Sequence, residues 1–484
     1  MKPHYLRIRK VKTHSGSTAI QVGSYEGKRF EVRKHIGSSK DPTKITELVD
    51  IAYEYIRSHN PQLEIDFNSK SEEVLFKRGI RITGSILQEA YEYLERVYCK
   101  IGFDKIDSLI LKHFAFIRIL EPASKLKSIK LLEKYFDIKY KKTTAFRELL
   151  KILRLKDDIE SIAIKYARKH LGFDFSLVFY DVTTLYFETH SSDDFRKEGF
   201  SKDNKINQPQ ILIGVVVNEV GFPIYYDIFK GNTFEGKTII PVILKLKEKY
   251  QISKFTVIAD AGMLSEENLS ELREQGVDYV VGARIGNLCI EEVRVIANEL
   301  GKIDKKVIRR EDILFEYSSK RAKKDKSDND RQLKKAEYYL NNPSKIIRRS
   351  KFLSNIGKKT FKLNESIIEK HRLLEGIKGY KTNIVDLREE LLIARYKDLW
   401  KIEQLFRIAK TDLEIRPIYH RRKNAIECHI LIVFVALCMG KVIELETGES
   451  IRKVMDELKD KWTVTLKDEI SGNSLKITLD KKPH

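Results

Sequence analysis

The strongest constraint on the fold lies in the stretch that begins at Phe173. FDFSLVFYDVTTLYFET crowds β-branched and aromatic residues together. After a polar loop, QILIGVVVNEVGFPIYYDIFKG reads as two strands joined by a turn near Asn218 to Gly221. A helix, KTIIPVILKLKEKY, follows, then a short buried-type strand, KFTVIAD, a second helix, SEENLSELREQG, and the strand DYVVGAR. Three strands, helix, strand, helix, strand is an α/β order with a mixed sheet.

The rest of the chain is organised around this run. Residues 1–70 read as a small antiparallel sheet (YLRIRKV, TAIQVGS, RFEVRKHIG) followed by a helix that begins near Asp41. Residues 71–171 are helical almost throughout from Ser85, with Pro122 placed to open a new helix in its first turn. These basic helices suit either docking on DNA or a packed bundle with solvated faces. Residues 172–289 hold the first part of the α/β core. Residues 290–380 break the alternation with a basic helix, KRAKKDKSDNDRQLKKAEYYL, and the strand-like pieces KTFKLNESIIEK and GYKTNIVD, which marks them as an insertion. Residues 381–445 resume the core, and 446–484 form a charged tail with strand character at WTVTLKD and LKITL.

At 484 residues the chain needs more than one core. Its 42% apolar and 33% charged content belongs to a folded, soluble protein. The net charge of +21 makes a polyanion the leading partner, through phosphate neutralisation and counterion release. No membrane partner is expected. There is no compact basic amphipathic anchor, and ILIVFVALCM (430–439) is about half the length a bilayer requires, so it reads as a buried core helix. Cys99, Cys289, Cys428 and Cys438 show no C-x-x-C spacing, which suggests neither a disulfide framework nor a zinc site and fits a reducing cytosol.

The chemistry is sought in three acids. YKDLWKIEQLFRIAKTDLEIRP, Tyr396 to Pro417, reads as one helix with an apolar arc of Leu399, Ile402, Leu405, Phe406, Ala409 and Leu413. Tyr396, Trp400, Glu403, Arg407 and Lys410 share the adjacent arc. Taken alone, Glu403 and Arg407 are an ordinary i, i+4 surface pair. Asp181 and Asp260 each end an apolar strand run, where the sites of open α/β sheets assemble. Three carboxylates from separate segments can hold two magnesium or manganese ions roughly 3.5–4 Å apart and so act on a phosphodiester. Hard ions call for acids, whereas zinc calls for His or Cys. Lys410 and Arg407 would then hold the phosphate backbone, Tyr396 would hydrogen-bond a phosphate, and Trp400 would pack on a sugar or base. Rival acids are weaker: Asp227 edges a hairpin, Glu188 is peripheral, and Asp193 and Asp194 sit in a polar loop.

The segments YDVTTLYFE, IADAGMLSEEN and YKDLWKIEQLFRIAK resemble those of the DDE transposases of bacterial insertion sequences, in the IS-four-like superfamily. The later RPIYH and ECHILIVFVALCM look nearest to the IS-sixteen-thirty-four branch. The superfamily's helix signature is Tyr, two residues, Arg, three residues, Glu, six residues, Lys. Tyr396, Glu403 and Lys410 match it, but Leu399 occupies the Arg position, with Arg407 or Arg395 as candidate substitutes. The resemblance covers roughly residues 173 to 443. It implies a ribonuclease-H-like core with Asp181, Asp260 and Glu403 as metal ligands, and an enzyme that cuts its element's terminal inverted repeats and joins the 3′-hydroxyl to target DNA. It further implies a homodimer in the synaptic complex and a bacterial, cytoplasmic, nucleoid-associated location. A stand-alone nuclease on the same fold and a catalytically silent DNA-binding regulator stand as alternatives.

Overall fold

The computed structural model describes residues 6–26, 29–59, 80–201, 205, 207–263, 265–342, 350–357, 360–468 and 473–480. The sequence-read boundary at residue 70 lies outside them. The chain forms two compact units, residues 1–88 with 460–484, and residues 89–459.

In the first unit, β1 (Arg7–Lys12), β2 (Thr18–Glu26) and β3 (Arg29–Ser39) form an antiparallel meander. Helix α1 (Pro42–His59) starts where the Asp41 carboxylate accepts the Thr43 N–H at 2.9 Å. Its Ala52, Leu48 and Ile56 pack on Ile20 and Val22 of β2. Strand β4 (Ile80–Ile86) ends the N-terminal part of this unit.

The second unit opens with five helices: α2 (Gln88–Ile101), α3 (Leu109–Leu120), α4 (Lys125–Phe136), α5 (Lys142–Lys151) and α6 (Lys156–His170). Pro122 does not open a helix. The Ser124 hydroxyl accepts the Lys127 N–H and caps α4, which leaves Pro122 in the link. Helix α3 is buried from Ile110 to Leu120 save for Lys112, so it serves packing rather than docking.

The sheet follows: β5 (Val178–Tyr186), β6 (Gln210–Val217), β7 (Pro223–Lys230), α7 (Gly236–Tyr250), β8 (Thr256–Ala259), α8 (Glu266–Glu274) and β9 (Asp278–Ala283). Asn218 shapes the β6–β7 turn by accepting the Phe222 N–H at 2.8 Å, with Gly221 at φ +81°. Strands β5, β6 and β7 are antiparallel, whereas β8 runs parallel to both β5 and β9. This is an α/β core with a mixed sheet.

Next come α9 (Ile290–Leu300), β10 (Val307–Arg310), β11 (Ile313–Tyr317), α10 (Ser319–Asn341), the hairpin β12 (Leu353–Gly357) and β13 (Thr360–Leu363), α11 (Glu365–Leu373) and β14 (Ile377–Thr382). Strand β14 pairs with β9, β11 with β14 and β10 with β11, so the core sheet grows to eight strands in the order β10-β11-β14-β9-β8-β5-β6-β7. NESIIEK, read as strand-like, is the start of α11. Asn364 caps it by accepting the Ile367 N–H at 3.1 Å, and that local bond outweighs the β-branched pair Ile367–Ile368.

The stretch read as one helix is two, α12 (Glu389–Lys397) and α13 (Trp400–Thr411). At the joint the Leu399, Lys401 and Ile402 amides bond three residues back instead of four, a 3₁₀-type turn that advances the helical phase. Helix α14 (Lys423–Thr447) then packs on α3, α5, α6, β7 and α13, and α15 (Ile451–Lys459) packs on α3 and α14. At 25 residues α14 is far longer than its apolar run and long enough to cross a bilayer. However, 89% of its apolar window is buried inside the unit. Finally β15 (Lys461–Asp468) pairs with β16 (Ser474–Asp480) and with β4, which closes the first unit.

Candidate active site

Strand β5 lies between β6 and β8. The parallel register sets Val178 beside Val257 and Phe179 beside Ile258. Carried two residues further, it brings Asp181 level with Asp260, on strands about 4.8 Å apart. Asp260 is the first residue past the end of β8, as expected. Asp181 does not end its own strand, which runs on to Tyr186 with Asp181 opposite Val215 of β6. It stands where the neighbour β8 stops, and this opens the sheet beside it. Thr183, on the same face of β5, borders a small cavity with Phe406, Ala409 and Lys410 of α13, so α13 covers this face.

Asp260 is held in place. Its Oδ1 accepts the Ala261 N–H at 2.7 Å and the Tyr396 hydroxyl at 3.3 Å. Tyr396 is buried; its ring meets Tyr380 edge-on at 5.0 Å and carries the Lys378 ammonium 4.5 Å from its centroid. Burial first, then the charges of Asp260 and Glu403, push the Tyr396 phenol well above its ordinary value, so it stays protonated and donates. Gly282 of β9 makes room for it, since a Cβ there would lie 2.7 Å from the Tyr396 oxygen and 3.0 Å from the Ala261 Cβ. Lys378 is pushed down, first by burial and then by Arg321, while Asp260 and Glu316 pull the other way.

Glu403 is exposed on α13 and forms no ion pair with Arg407 or any other described residue. Its charge adds to that of Asp260 in raising Tyr396. Trp400 is 53% exposed in the first turn of α13. Arg407 borders a different cleft, with Gln404, Ile408 and Asp412 on one wall and Lys441 and Glu444 of α14 on the other. Lys410 is half-buried beside Thr183. Leu399 is buried at the α12–α13 joint. Among the rival acids, Asp227 pairs with Lys245 at 2.6 Å, and Asp193 is spent on the Phe195 and Arg196 amides.

Sequence reasoning missed Lys378, Tyr380 and Gly282. The only trace was the i, i+2 spacing in GYKT's strand, which sets Lys378 and Tyr380 on one face. Nothing local says that this face meets Tyr396.

Divalent ions fit the donor chemistry. Asp181, Asp260 and Glu403 are carboxylates, with no imidazole or thiol among them. As placed, they do not form a cage: among the described residues no three His, Cys, Asp or Glu side chains converge closely enough to hold an ion. Two aspartates stand side by side, and the exposed glutamate lies on the helix above them.

Comparison with solved structures gives a Mos1 transposase paired-end complex with left transposon end, 14% identical, covering 50% of this chain and 68% of that one, with a TM-score of 0.17. A pre-cleavage Mos1 transpososome is likewise 14% identical, covering 50% and 68%, with a TM-score of 0.16. No curated protein matches. The family profile described as "Transposase DDE domain" matches residues 172–439, a span that contains β5, β8 and α13 with all three acids. That match takes in more than half of the sequence, and the protein belongs to the transposase DDE-domain family.

Proposed function

We propose that this protein is a transposase that hydrolyses a DNA strand at each end of its element and joins the freed 3′-hydroxyl to target DNA. The observation that carries the reading is the parallel pairing of β5, which bears Asp181, with β8, just past whose end Asp260 lies, together with the packing of the Glu403 helix on the Asp181 face of β5. The strand order β7-β6-β5-β8-β9 supports a ribonuclease-H-like core. The resemblance to insertion-sequence enzymes supports terminal inverted repeats as the DNA partner, a homodimer at synapsis and a bacterial cytoplasmic setting.

In this reading Asp181, Asp260 and Glu403 would hold magnesium or manganese. Such ions, when bound, neutralise charge at a phosphodiester and make water or a 3′-hydroxyl more acidic. Tyr396 fixes the Asp260 carboxylate by donating to Oδ1, and Gly282 leaves that hydroxyl its place. Lys378 offers a positive charge beside Asp260 from the β14 side. Lys410 and Trp400 are assigned to phosphate and to sugar or base.

Asp181→Asn is expected to bind an end-containing duplex as the parent does and to lose cleavage. Undiminished cutting by that variant would refute the assignment. Pre-cut ends with free 3′-hydroxyls should become covalently joined to a target plasmid; cleavage without any joined product would instead identify a stand-alone nuclease.

A further inference from the structure

A basic pocket lies at the start of α14, and none of the three acids lines it. Lys125, His420, Arg422 and Lys423 line one pocket, with Leu149 and Leu150 in its apolar wall. No carboxylate lines it, although Lys423 at its mouth pairs with Glu427 at 3.8 Å. Arg422 is the N-cap residue of this 25-residue helix, and no side chain caps the end, so the first-turn amides and the positive end of the helix dipole face the pocket mouth.

Lys125 is the independent sign that something binds here. It is only 5% exposed, yet its ammonium makes no hydrogen bond or ion pair with any described residue. Its Nζ lies 5.6 Å from the centroid of the Phe114 ring. The charged group beside it is another cation, Arg118, whose guanidinium is spent on the Leu413 and Ala123 carbonyls. The Cys428 thiol donates to the Leu149 carbonyl at 3.1 Å, and burial pushes it up to about 12, so it brings no negative charge. Burial, then the Arg118 charge, push Lys125 well below its ordinary value, and an anion in the pocket would offset both and favour its ammonium form.

We propose that this pocket binds a phosphate group, with Lys125 beneath it, Arg422 and Lys423 at its mouth, and the first amides of α14 as hydrogen-bond donors. The phosphate is either a DNA backbone phosphodiester or free phosphate. Burial, reinforced by Lys125 and Arg118, holds His420 down to about 4, so its imidazole is neutral and leaves the binding charge to the lysines and arginine. The proposal does not depend on the three acids being a metal site.

The test titrates inorganic phosphate into the full-length protein by calorimetry at constant ionic strength. The parent chain is expected to bind saturably. The exposed pair variant Arg422→Gln/Lys423→Gln, which leaves the buried Lys125 in place, and Lys125→Met are each expected to bind at least tenfold more weakly. Asp181→Asn is expected to bind as the parent does, which separates this site from the proposed active site. A second arm measures duplex affinity against salt. A slope lowered by about one to two units in the pair variant assigns the pocket to a DNA phosphate. An unchanged slope alongside weakened phosphate binding assigns it to free phosphate. The proposal is overturned if the parent shows no saturable phosphate binding, or if the variants bind phosphate as the parent does.

Discussion

At the scale of single residues, the arrangement around Asp260 depends on a hydrogen atom at position 282. Gly282→Ala would push a methyl group against the Tyr396 oxygen at 2.7 Å, and overpacking of this kind costs about 1–3 kcal/mol. Tyr396→Phe removes that oxygen along with one hydrogen bond, at about 1 kcal/mol. The two changes should therefore be non-additive. The double variant should be less destabilised than the sum of the singles by about 1 kcal/mol or more, read from denaturant midpoints. Strict additivity would mean that Gly282 does not make room for the hydroxyl. His113 gives a second residue-scale expectation. It is buried between Tyr91 and Tyr140, 2.7 Å from the latter's hydroxyl, and burial followed by the Lys112 charge lowers it from 6.5 to about 4. Between those values the unfolded chain binds more protons than the folded one, so stability rises with pH there. Acidification from pH 7 toward 4 should remove on the order of 2–3 kcal/mol through this group. His113→Gln should flatten that part of the stability profile, measured as denaturant midpoint against pH.

At the scale of elements, what was legible was whatever local pattern controls. The α/β order from Phe173 to Arg284 emerged because alternation, turn residues and helical period agree along that stretch. Asp260 was placed correctly at a strand end because the apolar run stops there. Asp181 was not, because the end of β8, not of β5, opens the sheet beside it, and pairing between distant strands leaves no mark in either sequence. The phase change between α12 and α13 was hidden for a related reason. Every residue at the joint has helical backbone angles, and only the hydrogen bonds shorten from four residues to three. Likewise residues 290–380 read by composition as an insertion, and nothing in that pattern shows that β10, β11 and β14 extend the core sheet or that β14 reaches the site. Glu316 of β11 ties these elements together. It is 7% exposed and accepts from Lys397 at the end of α12 at 2.6 Å and from Tyr380 of β14 at 3.0 Å. Glu316→Gln should cost about 1–3 kcal/mol by weakening both bonds. Because α12 carries Tyr396, it should also reduce cleavage more than DNA binding. A variant of parental stability and activity would show that β11 merely abuts α12.

For the whole molecule, the surplus of +21 matters by where it is left uncompensated. Helix α10 sorts its charges by depth. Asp325, Asp328 and Asp330 are half-buried and paired with Arg321, Arg331 and Arg372. Lys320, Lys323, Lys324, Lys326, Lys334 and Lys335 are all exposed. The exposed face therefore carries more lysine than acid, and Lys323, Lys326 and Lys334 border one shallow groove with Arg331 and the Arg372-paired Asp330. Phosphate contacts made by such a face bind every sequence alike and release counterions, each contributing about 0.9 to the slope of log affinity against log salt. Replacing those three lysines by glutamine should therefore lower the slope by about two to three units, equally for end-containing and random duplexes. Cleavage per bound complex should remain at the parental level, because none of the three belongs to the site around Asp260. Fluorescence anisotropy across a salt series measures both slopes, and a triple variant with the parental slope would show that α10 faces solvent while DNA lies on another surface.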